Sequence, residues 1–381
     1  MIARISYYVI IVILLSSAYL DWQSWRKKRW WWRLTGWLLA LAGIAMTIDL
    51  VGEQDYFPSD ISRIENYMYM LFLYAIPLSL VALSSAIGLF FKRQKRGLVV
   101  GWMLAVLTAL VYVYGSTVGF RQFEVTRLEL AFPDLPDAFD GYRIVQFSDA
   151  HVGTYTGERQ ALLRRAVDSI NAQQADLIVF TGDLQNMYSQ EIEPHKELLS
   201  SLKAPDGVLT IMGNHDYADY THLTGNAKLD EEELTRIRQA RLGWTMLTNN
   251  HHVLYRGTDS LVIAGMENEG GGRFPVRADV QLALWGVGRD AFVVMLEHDP
   301  KSWRARILPQ CHAQLTLSGH THAMQFEILG WSPIALTRRE YDGLYEIGHR
   351  KLYVSRGLGG VIPFRFGATG HITVITLRKG S

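Results

Sequence analysis

Val208-Leu209-Thr210-Ile211-Met212-Gly213-Asn214-His215-Asp216 is a short apolar run that ends abruptly in a glycine and three side chains rich in lone pairs. The run has the length and composition of a buried strand, and the polar cluster falls just past its carboxyl end. Four other runs behave alike. Residues 142–148 lead into Asp149-Ala150-His151, 177–181 into Gly182-Asp183, 291–297 into His298, and 314–318 into Gly319-His320-Thr321-His322. Loops at the carboxyl ends of strands in one α/β sheet open on a common edge, so five clusters distant in sequence can meet there.

The side chains that would meet are Asp149, His151, Asp183, Asn214, His298, His320 and His322. They make the donor set of a two-metal hydrolytic site. Cations about 3.5–4 Å apart need an anionic bridge, and borderline divalent metals accept imidazole nitrogens and a carbonyl oxygen around it. Taken singly, an Asp-x-His or His-x-His pair is more often a surface loop and Gly-Asp a turn. The joint occurrence, in order and each after an apolar run, carries the argument.

The order D-x-H, G-D, G-N-H-D, H, G-H-x-H resembles the calcineurin-like metallophosphoesterase family over roughly residues 142–375, with every ligand position filled. The resemblance implies that Asp149, His151 and His322 hold one ion, that Asn214, His298 and His320 hold the other, and that Asp183 bridges them. A water or hydroxide between the two ions would be the nucleophile, and the ligand set accepts Mn, Zn or Fe. His215 cannot easily share its neighbour's metal. It is expected as the general acid for the leaving oxygen, or as a cation steadying the phosphoryl charge, with Asp216 orienting its ring.

Helical segments at 157–172, 191–202, 231–242 and 301–308 alternate with strands through the first two thirds, after which strands dominate. That pattern suits a four-layer α/β/β/α sandwich, which is also the fold the resemblance implies. Two glycine-rich stretches are candidates for touching substrate. Glu269-Gly270-Gly271-Gly272-Arg273 is a lid or simply a long turn. In Ser355-Arg356-Gly357-Leu358-Gly359-Gly360, with Arg365 beyond it, Arg356 and Arg365 could each take a phosphate oxygen, or the segment closes the second sheet as a turn. His251-His252 follow Asn249-Asn250 and are expected in a solvated turn. His195, His222, His312, His349 and His371 have no ligand-spaced partner.

Residues 1–120 are a different material. Apolar runs at 5–20, 34–51, 67–91 and 98–119 approach the ~20 residues of a bilayer-spanning helix, with Asp49 and Pro77 as the obvious blemishes. The charges follow the first run rather than precede it, unlike a cleaved signal peptide. A membrane domain of four helices is therefore expected over 1–120 and a catalytic domain over 121–381, joined without a long flexible linker. The links Arg26-Lys27-Lys28-Arg29 and Lys92 to Arg96 are basic, whereas 52–66 is acidic. Basic links stay cytoplasmic, which puts the N-terminus and the catalytic domain on the outer side, with the tryptophans between 22 and 32 at the inner interface.

Residues 1–120 hold 11 Lys/Arg against 6 Asp/Glu, and the rest 27 against 31. A mildly acidic catalytic part argues against nucleic acid as a partner. The single cysteine, Cys311, excludes an internal disulfide. The expectation is a membrane-anchored phosphoester hydrolase whose partners are the bilayer and a phosphorylated, amphiphilic substrate. UDP-diacylglucosamine-type pyrophosphate hydrolysis ranks second, because that substrate is cytoplasmic and the charge pattern points outward. A sensor or scaffold that binds without cutting would be marked by a missing ligand, and none is missing.

Overall fold

The computed structural model describes residues 2–55 and 60–380, in two compact units, Met1–Val118 and Gly119–Ser381. Part of the acidic link 52–66 therefore lies outside the described residues.

The first unit is helical: Ile2–Gln23, Trp30–Val51, Ile61–Met70 and Gln94–Thr117, with Ile61–Met70 continuing through a wide turn, Leu71–Ala75, into Ile76–Phe90. The wide turn sits just before Pro77, whose ring lacks an N–H and would clash with the carbonyl four residues back. Against the four spans expected, three helices among the described residues are long and apolar enough to cross a bilayer: Trp30–Val51, Ile61–Phe90 and Gln94–Arg121. The first expected span is helical within Ile2–Gln23 but is not one of the three. The helix carries Ser16, Ser17 and, just past the expected span, Asp21, and its opening side chains lie outside the described residues. Leu39, Leu41, Val100, Trp102, Met103 and Leu107 are exposed around these helices, which suits lipid and not water. The last two helices approach through small residues. A Cβ on Gly97 would collide with the Ser84 carbonyl, and one on Gly101 would lie 2.7 Å from Val81 Cα. Asp49 is paired with Arg63 at 2.9 Å, and Arg63 also reaches Glu53 at 2.8 Å.

The second unit holds two six-stranded sheets. The first contains β1 (Phe123–Phe132), β2 (Arg143–Phe147), β3 (Leu177–Phe180), β4 (Val208–Thr210), β5 (Thr245–Met246) and, far along the chain, β12 (Gly370–Lys379). The second contains β6 (Asn250–Arg256), β7 (Asp259–Gly265), β8 (Phe292–Leu296), β9 (Leu315–Ser318), β10 (Gly343–Ile347) and β11 (Arg350–Val354). Their orders are β1-β12-β2-β3-β4-β5 and β10-β11-β9-β8-β7-β6. Strands β2 to β5 are parallel, as are β7, β8, β9 and β11, so their carboxyl ends point one way within each sheet.

Period-two alternation explains the layering. Ile144, Leu177, Val179, Leu209, Leu261, Ile263, Val294 and Leu317 pack between the two sheets. Val145, Ile178 and Phe180 face the other way, against Leu163, Val167 and Ile170 of the helix Gln160–Ala172. Val293 and Met295 face Trp303 and Ile307 on the far side of the second sheet. The result is the four-layer α/β/β/α sandwich. Two of the helical segments depart from the sequence expectations. Pro194 limits 191–202 to a 3-10 segment, Ser189–His195, and one α-turn, Lys196–Leu199, while 231–240 belongs to the longer helix Gly225–Ala240, which ends two residues before the expected 242.

Candidate metal centre

The polar clusters lie just past the carboxyl ends of β2, β3, β4, β8 and β9. Backbone hydrogen bonds tie their loops together: Asp149 N–H donates to Gly182 O (2.8 Å), His151 N–H to Asp183 O (3.1 Å), and Gly319 N–H to His298 O (3.1 Å). Asp149, His151, Asp183, His320 and His322 all have positive φ, between 48° and 76°. Each such residue costs roughly 1–3 kcal/mol, and strain of this kind clusters where side-chain placement matters. Glycines leave the room. A Cβ on Gly213 would collide with the Asp183 carboxylate, one on Gly319 with Ser148 and Asp149, and one on Gly357 would lie 2.6 Å from Asp149 Cβ.

Two donor groups result. Asp149, His151, Asp183 and His322 form one, and Asp183, His298 and His320 the other, the donor atoms of each within 4.8 Å of one another. Asp183 is common to both. Asn214 Oδ1 lies 2.7 Å from His320 Nδ1 and 3.0 Å from His298 Nε2. Its Nδ2 donates to Tyr220 Oη at 2.8 Å, so the carbonyl oxygen is the atom turned inward. His298 Nδ1 faces Thr181 O at 2.7 Å, which places the proton there and leaves Nε2 a lone pair 3.2 Å from Asp183 Oδ2. His322 Nε2 lies 3.3 Å from both His151 Nε2 and Asp149 Oδ1.

Lone pairs converging at such distances fit divalent cations. The electrostatics agree for three of the four imidazoles. At His298 burial lowers the pKa, but Asp183 and Asp149 more than offset this and push it up to about 10, so a cation must displace that proton. Burial, with His215 nearby, pushes His151 down to about 3. Burial likewise takes His320 to about 4 and His322 well below the usual imidazole range. Neutral imidazoles are what metals bind. Burial pushes Asp149 up to about 6. It pushes Asp183 up as well, but His298 and His215 more than offset this and hold that carboxylate well below its ordinary value.

His215 sits beside this set. Its amide donates to Asp183 Oδ1 (2.7 Å), its Nδ1 lies 2.6 Å from the Asn186 carbonyl, and its ring stacks on Tyr220 at 4.3 Å and 6°. The Asn186 carbonyl therefore fixes the proton on Nδ1. Asp216 does not stand behind that ring as expected. Its carboxylate turns away and accepts backbone N–H bonds from Asp183 (2.7 Å), Leu184 (2.9 Å), Gly213 (2.9 Å) and Gln185 (3.4 Å). A fully buried carboxylate needs such donors, and here they clamp the β3 and β4 loops.

The two arginines also differ from expectation. Arg365 is buried, with Nη1 donating to Ala368 O and Nη2 to the carbonyls of Arg356, Gly357 and Gly359. It braces the glycine loop from inside. Arg356 is engaged with Glu124 (2.7 Å), Asp342 (3.2 Å) and Glu327 (3.9 Å). Neither offers a free fork to a phosphate. His251 and His252 lie on β6, not in a turn, and His251 Nδ1 meets Ala283 O at 3.0 Å.

Four contributors went unread in the sequence: Asn186 and Tyr220 at the His215 ring, and Asp299 and Arg338 at His320. Asp299 Oδ2 is 3.7 Å from His320 Nε2, Arg338 bonds Asp299 Oδ1 at 2.7 Å, and Arg338 Nη2 is 3.4 Å from the same imidazole. Asp299 directly follows His298, a signal available in sequence, whereas Arg338 carries none. In the 269–273 stretch the three glycines have positive φ, and Phe274 beyond them packs 4.9 Å from the Tyr220 ring.

Residues 142–324 match the family model for calcineurin-like phosphoesterase. The uncharacterized metallophosphoesterase YkuE of Bacillus subtilis is 31% identical over 304 residues, covering 76% of this chain and 99% of that protein. The chain belongs to the calcineurin-like metallophosphoesterase family. A Danio rerio transmembrane protein with metallophosphoesterase domain is 30% identical over 285 residues, 72% of this chain and 62% of that protein. The Chlamydia trachomatis UDP-2,3-diacylglucosamine pyrophosphatase LpxG is 27% identical over 304 residues, 68% of this chain and 90% of that protein. This calcineurin-like metallophosphoesterase is a metal-dependent phosphoester hydrolase with membrane-type helices in its N-terminal unit.

Proposed function

We propose that the chain cuts a phosphodiester or pyrophosphate in an amphiphilic, lipid-linked substrate. In this reading 1–120 is the membrane domain and 121–381 the catalytic domain, on the outer side of the membrane. The observation that carries the catalytic part is Asp183, one carboxylate shared by two donor groups. Asp149, His151 and His322 would hold one divalent ion, Asn214, His298 and His320 the other, and Asp183 both. When bound, such a pair supplies Lewis-acid charge for the phosphoryl oxygens and an activated water.

The chain's own residues do the rest. Thr181 O orients the His298 ring so that Nε2 faces inward. Asp299, 3.7 Å from His320 Nε2, lies on the outer side of the His320 ring, whose Nδ1 faces Asn214 Oδ1. His215, its Nδ1 proton held by the Asn186 carbonyl, turns Nε2 toward the reacting centre. There it delivers a proton to the leaving oxygen when charged. Tyr220 holds that ring flat and keeps it from rotating. Asp216 acts as a clamp on the loops rather than as a proton partner.

A second reading is favoured by the likeness to LpxG, namely pyrophosphate cleavage in a UDP-diacylglucosamine-like molecule. Rates of the full-length protein in mixed micelles with Mn, on bis-p-nitrophenyl phosphate, p-nitrophenyl phosphate and UDP-diacylglucosamine, separate these. A diester rate above the monoester rate supports the first reading. Preference for the nucleotide lipid selects the second, and a faster monoester rate overturns both.

A further inference from the structure

Residues 322–338 leave the metal centre and return to it. The excursion starts at His322 and ends at Arg338, whose guanidinium touches His320. Between them Ile328 and Trp331 exchange both backbone hydrogen bonds (2.9 and 3.0 Å), closing a two-residue hairpin over Leu329-Gly330. Leu329 has φ 51° and Gly330 φ 78°. Positive φ at both turn positions marks a type I′ turn, for which Asn-Gly is the favoured pair and a leucine among the strained choices.

That leucine is fully exposed, Ile328 and Trp331 are half exposed, and Met324 and Leu336 on either side are more than half exposed. Water gives no return for this arrangement. A strained backbone position carries a large apolar side chain, at the tip of a turn where Asn would cost less and dissolve better. An apolar phase does give one. Leucine and isoleucine at a loop tip with a tryptophan beside them match the composition of an interfacial membrane contact, Trp settling at headgroup depth. The chain itself supplies the phase. It carries helices apolar enough to cross a bilayer, and only residues 118–122 separate the helix Gln94–Thr117 from β1.

We propose that the Ile328–Trp331 hairpin dips into the bilayer surface, so that a substrate headgroup is engaged at the lipid interface next to His322 and His320. The catalytic consequence rests on the proposed lipid substrate, whereas the insertion does not. Full-length protein carrying Cys311→Ser and Leu329→Cys, labelled with an environment-sensitive fluorophore and reconstituted in nanodiscs, reads insertion directly. The expected result is a blue-shifted emission quenched by doxyl-labelled lipid. Emission like that of a water-exposed label, unquenched, overturns the proposal whatever the substrate proves to be. Leu329→Asn supplies the kinetic arm, since Asn-Gly suits the turn and misfolding cannot account for a loss. Its rate on a lipid phosphodiester in vesicles should fall at least about tenfold, with the rate on bis-p-nitrophenyl phosphate kept. Quenching without that fall would keep the insertion and sink the lipid-substrate reading alone. Equal losses on both substrates would overturn the interfacial role.

Discussion

At His215 the chemistry turns on which nitrogen carries the proton. The Asn186 carbonyl, 2.6 Å from Nδ1, settles the tautomer, in the place where a carboxylate was expected. His215→Ala should therefore keep the bound metal, measured by plasma mass spectrometry, and lower kcat by about 10²–10⁴-fold, the usual worth of a positioned acid. A matching loss of metal would mean the ring is a ligand. Arg365 makes the opposite case. It holds four main-chain carbonyls in a buried setting. Arg365→Lys should cost about 2–3 kcal/mol of stability through carbonyls left unpaired, seen as a lower Tm, without raising KM for a soluble phosphodiester. Sequence made Arg365 look like a phosphate ligand because a glycine-rich loop and an arginine suit either job. Which way a guanidinium points is decided by packing, and one-dimensional order does not hold that. The ligand neighbourhood was legible for the contrary reason. Each donor follows an apolar run, and parallel strands carry their carboxyl ends to one rim whatever lies between.

Among the elements, the strand-end loops are where the fold accepts strain. Asp149 and His320 are at positive φ, and beside them Gly319 lets the β9 loop press against Ser148 and Asp149. Gly319→Ala would drive a methyl group into that carboxylate. The expected outcome is a folded protein by circular dichroism with metal affinity reduced at least about tenfold, the order seen when a ligand's support is disturbed. Unchanged affinity in a calorimetric titration would show the crowding to be soft. The strand content was visible in the apolar runs, but the insertion of β12 between β1 and β2 was not, since no local signal records a partner more than 200 residues away. The Ile328–Trp331 hairpin was equally silent, because exposure distinguishes an interfacial loop from a core strand and composition does not.

Across the whole molecule, acid sensitivity has a buried source outside the metal centre. His371 on β12 bonds Thr126 of β1 (2.8 Å) and meets Tyr353 of β11 (3.4 Å), joining the two sheets. Burial lowers it to about 3 from the usual 6.5. The unfolded chain then binds a proton that the folded one refuses. Stability from this group is full above about pH 6.5 and drains away toward pH 3, by up to about 1.4 kcal/mol per pH unit. In His371→Gln the fall of Tm over that window should be shallower than in wild type, and an unchanged slope would assign the acid response elsewhere. The larger design is two sheets whose rims bring six donor side chains together around one carboxylate, in a chain that also carries membrane-type helices. The most direct test is the metal content of the full-length protein and of Asp183→Asn after equilibration with Mn. About two ions per chain in wild type, falling by at least one in the variant, is the outcome a shared Asp183 requires. One ion per chain in wild type, or two retained without the carboxylate, would contradict it.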